Sequence, residues 1–216
     1  MPKPVRHYTP LDKLCLSLDQ ALRAIAGKAA TTERAYPAAH EAEPELTAEE
    51  RKHAASLMRI NHAGEVSAQA LYHGQGLVTR HATVSDYMQK SATEEGDHLD
   101  WCHKRLVELG SHTSYLNPLW YAGSFVIGVS AGLVGDKWSL GFVAETEKQV
   151  VTHLKKHLSL LPEQDIKSAK ILQQMEIDEA HHREAAVHLG AAELPQIIKK
   201  IMRFTSKIMV KTAYWL

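Results

Sequence analysis

Carboxylate and imidazole side chains recur at matching places in the two halves of this sequence. In each half a single glutamate is followed, 30 or 32 residues later, by a second glutamate with a histidine three positions after it. Oxygen and imidazole ligands without a thiolate suit iron or manganese better than a structural zinc site. The pattern predicts a catalytic site for two metal ions, with these ligands: Glu65, Glu95, His98, Glu147, Glu179 and His182.

The spacing indicates how the chain brings these residues together. Residues three positions apart lie on one helix face, so each Glu-x-x-His pair can reach the same point. Arg80 is the midpoint of the first half and lies in a polar stretch, and Glu163 is the midpoint of the second and follows Pro162, a helix breaker. Two antiparallel helical hairpins would therefore place each single glutamate level with its pair, as in four-helix bundles that hold two metals.

Other parts of the sequence fit the same short motif. Glu50 with His53 fits, but Thr47 and Glu50 form a capping-box pattern, which makes Glu50 a helix cap and places His53 on the surface. In the second half, Asp178 with His181 competes with Glu179 and His182. The pair Glu179 and His182 is preferred because it gives the same carboxylate type in both halves.

Composition favours a helical protein with an ordinary core. The chain has 216 residues, with 25 Lys and Arg against 25 Asp and Glu. It therefore lacks the excess of basic residues that would suggest binding to nucleic acid. The two cysteines, Cys15 and Cys102, are too far apart for a metal-binding pair and suit a reducing compartment. Charged residues interrupt the N-terminus where a secretory signal would need an apolar core. We expect an N-terminal helix and linker at 1–46 and a metal-binding domain at 47–216.

The helical elements can be placed from apolar periodicity and from breakers. We expect an all-α, ferritin-like four-helix bundle with a long crossover and additional amphipathic helices at both ends. Gly27 to Leu46 is expected to be a linker. The predicted helices are Leu11 to Ile25, Thr47 to about Val78, Ser85 to Leu109, one opened by Pro162 and ending near Gly190, and one from Pro195 to Tyr214.

Two segments suggest contact with a membrane. Leu109 to Gly135 contains no Asp, Glu, Lys or Arg. We favour an interfacial segment, around 116–134, that lines a lipid pocket; a buried core helix and a spanning helix are the alternatives. The last helix alternates apolar and basic residues and can lie on an anionic membrane, or can be an ordinary surface helix. Its basic residues are Lys199, Lys200, Arg203, Lys207 and Lys211.

The chain resembles a known family from about Ala54 to its C-terminus. The motif from Arg59 to Glu65, which contains Asn-His-Ala-Gly-Glu, is similar to that of the Coq7 family, the demethoxyubiquinone hydroxylases of ubiquinone biosynthesis. The stretches Tyr72 to Gln75 and Glu95 to His98 are similar as well. The resemblance implies a di-iron monooxygenase that uses dioxygen to hydroxylate the ring of a polyprenylated demethoxyubiquinol.

The resemblance also implies roles for the residues. Glu65 and His98 would complete the coordination of one iron, and Glu147 and His182 that of the other. Glu95 and Glu179 would bridge the two irons. The same resemblance favours Glu147 over Glu145. Residues expected around the ligands are Asn61, His62 and His153, and Tyr72 is either beside the substrate or in the core.

The family further implies where the protein acts and with what. We expect a peripheral protein on the cytoplasmic side of the cell inner membrane, with other proteins of ubiquinone biosynthesis as possible partners and no nucleic acid. An iron-storing or iron-detoxifying bundle and another di-iron oxygenase are the alternative functions.

Overall fold

A computed structural model describes residues 9–216, with residues 10, 13 and 14 described by their backbone only. This part of the chain forms seven α-helices and no strand, which confirms the all-α prediction. Of the N-terminal part predicted at 1–46, residues 1–8 lie outside the described residues. The helices are α1 (Pro10–Ile25), α2 (Ala48–Val78), α3 (Ala82–Glu108), α4 (Asn117–Val134), α5 (Asp136–Leu158), α6 (Ile166–His188) and α7 (Gln196–Ala213).

The central bundle consists of two helical hairpins, α2 with α3 and α5 with α6. The first turn contains Arg80 and the second contains Glu163, as the spacing of the sequence predicted. Asp136, at the start of α5, stabilises the first turn by accepting hydrogen bonds from the Thr79 hydroxyl at 2.8 Å and the His81 amide at 3.0 Å. The second hairpin therefore helps to hold the first one closed.

The start of α2 confirms the capping box. The Thr47 hydroxyl accepts from the Glu50 amide at 3.2 Å, and the Glu50 carboxylate accepts from the Thr47 amide at 2.9 Å. His53, which was expected on the surface, is only half-buried, and it also makes tertiary contacts. Its ring nitrogens lie 2.9 Å from the Tyr214 hydroxyl and 3.0 Å from the Leu160 carbonyl. His53 thus links α2 to the end of α7 and to the turn after α5.

The crossover contains α4, which lies on the outside of α2. Two of its glycines allow this approach: a Cβ on Gly128 would lie 2.5 Å from the Leu71 carbonyl oxygen, and one on Gly132 would collide with Val78. The alternative of a buried core helix is wrong, because α4 leaves Leu119 and Val126 about 60 % exposed. Among the described residues, no helix has the length and apolarity needed to cross a membrane.

The last helix, α7, lies across α2 and α5. Its apolar residues Met209 and Val210 turn inward, whereas Phe204 and Ile201 are exposed. Lys199 differs from the other lysines of α7, because it is buried and donates to Glu193 at 2.6 Å, with Glu145 3.8 Å away. It therefore fastens α7 to α5 and is not part of an exposed basic face.

The N-terminal part packs against the bundle. Helix α1, which confirms the predicted N-terminal helix, buries Ala24 among residues of α2, α3 and α4. Residues 28–47 form no helix, yet they pass over α3 and α6. Glu43 in this segment accepts from Arg105 of α3 at 3.1 Å and lies 2.9 Å from Lys167 of α6.

Candidate metal centre

Each helix of the bundle contributes to a buried group of carboxylates and imidazoles. Helix α2 supplies Glu65 and α5 supplies Glu147, while α3 and α6 each supply a Glu-x-x-His pair. Uncompensated carboxylates are costly to bury, so such a group requires balancing positive charge. The six side chains are all at most 5 % exposed: Glu65, Glu95, His98, Glu147, Glu179 and His182.

Glu95 and Glu179 lie at the middle of this group. Each directs one oxygen at His98, at 3.1 Å from Nδ1 in both cases. Each directs its other oxygen at Nδ1 of His182, at 3.0 Å from Glu95 and 3.3 Å from Glu179. These two carboxylates therefore face both imidazoles at once, which is the geometry required of a bridging ligand.

Glu65 and Glu147 lie on opposite sides of the middle pair. Oε2 of Glu65 is 3.6 Å from Nδ1 of His98, and Oε1 of Glu147 accepts from the Tyr72 hydroxyl at 2.8 Å. Four of the six residues, Glu65, Glu95, His98 and Glu179, place one ligand atom each within 4.8 Å of one another. His182 joins these four through its contacts with the middle carboxylates, and the buried Glu147 is close enough for the charges of Glu179 and Glu95 to raise its pKa.

The outward nitrogens of the two histidines reveal contacts that the sequence did not. Nε2 of His98 donates to Asp178 at 2.9 Å, and Nε2 of His182 donates to Glu94 at 2.7 Å. In each case the acceptor directly precedes the middle glutamate of the opposite hairpin. His181 is exposed, so Asp178 and His181 do not act as an inward pair. The acidic doublets Glu94-Glu95 and Asp178-Glu179 were the only sequence signal for this arrangement.

The charges of the group are strongly coupled. Burial raises the pKa of Glu65 and Glu147 well above the usual range, and neighbouring carboxylates add to the effect. Burial also acts upward on the pKa of Glu95, but hydrogen bonds from both histidines outweigh it and hold that pKa well below its usual value. Burial opposes the charging of His98 and His182, yet their carboxylate partners raise both pKa values. A bound cation would supply the same balancing charge and release protons.

The donor set fits two divalent metal ions. One oxygen of Glu65 and one of Glu147 are buried without a hydrogen-bond partner among the described residues, which is unusual for a carboxylate unless a cation binds there. Four carboxylates and two imidazoles without a thiolate match the ligands that ferritin-like bundles use for iron or manganese.

A cavity of about 460 Å³ leads to the group. Helices α2, α4, α5 and α7 form its walls, and Glu65, Glu147 and Glu179 lie at its inner end. Its outer end reaches exposed side chains, among them Leu119 and Ile127 of α4. Most of the wall is apolar, as is typical of a ligand pocket with a few convergent polar groups.

Of the residues expected around the ligands, two line this cavity. Asn61 accepts from Nδ1 of His157 at 2.9 Å, and the His157 ring packs edge-on against His153, 4.0 Å away. Nε2 of His153 is buried and has no hydrogen-bond partner in the described part of the chain. His62 instead turns toward α4, where Asn117 donates to it at 3.4 Å. The Glu145 carboxylate accepts from Gln149 and lies beside Lys199, whereas Glu147 faces the group.

The comparisons with known proteins agree with one another. A family model described as "Ubiquinone biosynthesis protein COQ7" matches residues 52–213. A relative from Nitrosococcus oceani is 53 % identical over 211 residues, which cover 98 % of this chain and 99 % of that protein. One from Polynucleobacter necessarius is 56 % identical and covers 95 % of this chain and 99 % of its own length. One from Acinetobacter baumannii is 53 % identical over 98 % of this chain and its own full length. All three are named 3-demethoxyubiquinol 3-hydroxylase.

Proposed function

The chain belongs to the COQ7 family, and we propose that it is a 3-demethoxyubiquinol 3-hydroxylase of ubiquinone biosynthesis. The reaction replaces a ring hydrogen of the quinol with a hydroxyl group. One atom of dioxygen enters the ring, and the other leaves as water. A reductant supplies the two electrons that this balance requires, together with two protons.

The observation that carries the proposal is the apolar cavity that ends at three carboxylates of the buried group. A quinol ring can enter between α4 and α7 and reach Glu65, Glu147 and Glu179, while its prenyl tail stays against apolar wall. Trp120, Ile127 and Met209 contribute to this wall. Such a wall excludes water from the place where the ring would react.

We infer that the metals are two iron ions. Glu65 and His98 would hold one ion, Glu147 and His182 the other, and Glu95 and Glu179 would bridge them. When bound, a pair of iron ions supplies the redox chemistry that activates dioxygen. The chain orients the ligands: the Tyr72 hydroxyl restrains Glu147, while Asp178 and Glu94 restrain the two histidines. His153 lines the cavity, and its Nε2 has no hydrogen-bond partner within residues 9–216, so it can hydrogen-bond a ring oxygen.

An isotope experiment tests this function. Iron-loaded protein would be supplied with a demethoxyquinol, a reductant and ¹⁸O₂, and the product would be analysed by mass spectrometry. We expect a hydroxylated quinol that carries one heavy oxygen, with none formed by the iron-free protein. Glu179→Ala, which removes a middle carboxylate, should abolish the product.

An iron-storing or detoxifying bundle is the second candidate, since its ligands are similar. It would take up iron far beyond two ions per chain and oxidise it without altering the quinol. The ratio of iron to protein in the same samples therefore separates the two functions.

We also propose that the protein acts at the surface of the cell inner membrane, on the cytoplasmic side. The substrate is a lipid, and the outer end of the cavity lies between α4 and α7, both of which expose apolar residues. Helix α7 adds exposed Lys200, Lys207 and Lys211, which suit an anionic surface. In this arrangement the ring could pass from lipid to the carboxylates without crossing water.

A further inference from the structure

The segment before α2 reaches the candidate metal centre through Arg34. Its Nε donates to Asp97 of α3 at 2.9 Å, and its Nη1 donates to Asp178 of α6 at 2.8 Å. The guanidinium also lies 4.8 Å above the ring of Trp101. The Thr32 amide binds the other oxygen of Asp97 at 3.0 Å. One side chain from outside the bundle thus joins two helices that carry Glu-x-x-His pairs.

The contact with Asp178 extends to a proposed metal ligand. The oxygen of Asp178 that accepts from Arg34 also accepts from Nε2 of His98, at 2.9 Å. The opposite nitrogen of that ring, Nδ1, faces Glu95 and Glu179. Fixing Asp178 therefore fixes the direction in which His98 offers Nδ1 to a metal.

The second histidine has no comparable support in the described residues. Its partner Glu94 has, among the described lysines and arginines, only Lys90 within ion-pair distance, at 3.7 Å, and the Lys90 side chain is 77 % exposed. The charge of Arg34 reaches Glu94 only over a longer distance, without an ion pair. Exposed pairs of this kind contribute little to positioning. Arg34, in contrast, uses a planar guanidinium to hold two carboxylates at once, one of them only 2 % exposed. The two halves of the centre therefore differ in how rigidly their histidine is held.

We propose that Arg34 is a positioning residue of the metal centre, which acts through Asp178 on His98 and makes the half with Glu65 and His98 bind its metal more tightly than the half with Glu147 and His182. The inference rests on the metal centre of the proposed function. Arg34 lies outside the residues that the family model matches, 52–213. It gives the N-terminal segment a role at the metal centre as well as in packing.

The test is an anaerobic titration of the metal-free full-length chain with Co(II), in competition with a chelator and followed by visible absorption. For the wild type we expect two ions per chain with unequal affinities. Arg34→Gln should weaken the tighter one about 10-fold, the lower end of what the loss of such outer contacts costs. Arg34→Lys should do nearly the same, because an ammonium keeps the charge but cannot hold both carboxylates. Wild-type affinity in either variant would overturn the proposal.

Arg23→Gln is the matched control, since Arg23 lies in the same N-terminal part but is exposed and, in the part of the chain that the structure describes, pairs only with Asp19 of its own helix. It should leave both affinities unchanged, and a loss equal to that of Arg34→Gln would overturn the specific role of Arg34.

A second variant shows whether Arg34 acts through Asp178. Asp178→Asn keeps the shape of the side chain and should also weaken the tighter ion about 10-fold. The double variant with Arg34→Gln should lose little more than either single variant, because both remove the same restraint. Additive losses would overturn the pathway. If Arg34→Gln does not fold, Asp178→Asn carries the test alone, and wild-type affinity there overturns the proposal.

The outcomes also separate this inference from the metal centre itself. A wild-type chain that binds no Co(II) would overturn both. Two ions bound with affinities that no Arg34 or Asp178 variant changes would overturn only the role of Arg34.

Discussion

At the scale of single residues, the middle carboxylates Glu95 and Glu179 make the most contacts of any carboxylate with the other proposed ligands. Each contacts both histidines, whereas Glu65 approaches only one of them. Glu95→Ala should therefore remove both irons, and Glu65→Ala should mainly weaken one. Elemental analysis of iron-loaded protein measures this directly. Two irons and full activity in Glu95→Ala would contradict the bridging assignment.

Buried histidines outside the group predict a loss of stability in acid. Burial, with added repulsion from His153, Lys156 and His53, lowers the pKa of His157 to about 3. His157 stays neutral when folded but gains a proton when unfolded, so it stabilises the fold above pH 6.5 and loses this contribution as the pH falls toward 3. The loss approaches about 1.4 kcal/mol for each pH unit below the unfolded value.

The variant His157→Gln keeps a donor for Asn61 and removes this titration. The difference in unfolding free energy between variant and wild type should shrink as the pH falls from neutral to 5. Chemical denaturation of metal-free protein at several pH values measures it. A constant difference would show that His157 does not titrate as its burial requires.

At the scale of helices, the approach of α4 to α2 depends on glycine. A methyl group on Gly128 would meet the backbone of Leu71, which cannot move aside as a side chain could. Gly128→Ala should lower the unfolding free energy by about 1–3 kcal/mol. Gly123→Ala on the same helix has open space around it and should instead raise stability by about 0.5–1 kcal/mol. Thermal unfolding of both variants checks the prediction, and equal effects would contradict it.

Much of the helical framework could be predicted from the sequence because its signals are local. The Thr47 capping box, the breaker at Pro162 and the polar stretch around Arg80 each act within a few residues. Contacts between distant segments could not be predicted in the same way. Arg34 and Asp178 are 144 residues apart, and no periodicity relates them.

Two further features depend on three-dimensional packing. Lys199 belongs to the same basic pattern as Lys200, yet only the folded chain places it beside Glu193. The apolar composition of α4 is equally compatible with a core and with a surface. Which residues of α4 are exposed depends on the side of α4 that packs against α2, and that side is known only from the folded bundle.

At the scale of the whole molecule, the proposed membrane face predicts reversible binding to anionic vesicles. Reversing three exposed charges of α7 should weaken binding at least 10-fold, since each lysine near such a surface contributes about 1 kcal/mol. Co-sedimentation at several salt concentrations measures it. This α7 variant combines three substitutions: Lys200→Glu, Lys207→Glu and Lys211→Glu.

The control changes the net charge equally on α2, α5 and α6, through exposed lysines: Lys52→Glu, Lys156→Glu and Lys170→Glu. It should bind vesicles far better than the α7 variant. Turnover of a short-tailed, water-soluble quinol should survive in both, because neither touches the carboxylate group. Equal losses in both variants would mean that net charge, and not α7, governs binding.

The size of the cavity has a consequence for the quinone pool of a cell. About 460 Å³ accommodates an aromatic head with the first part of a tail, but not a long polyprenyl chain, which must remain outside the protein. The cavity therefore selects substrates by their aromatic head and does not distinguish the number of isoprene units in the tail. A lineage that lengthened or shortened its quinone would need no matching change in this hydroxylase, so tail length is free to evolve with the prenyltransferase that makes it.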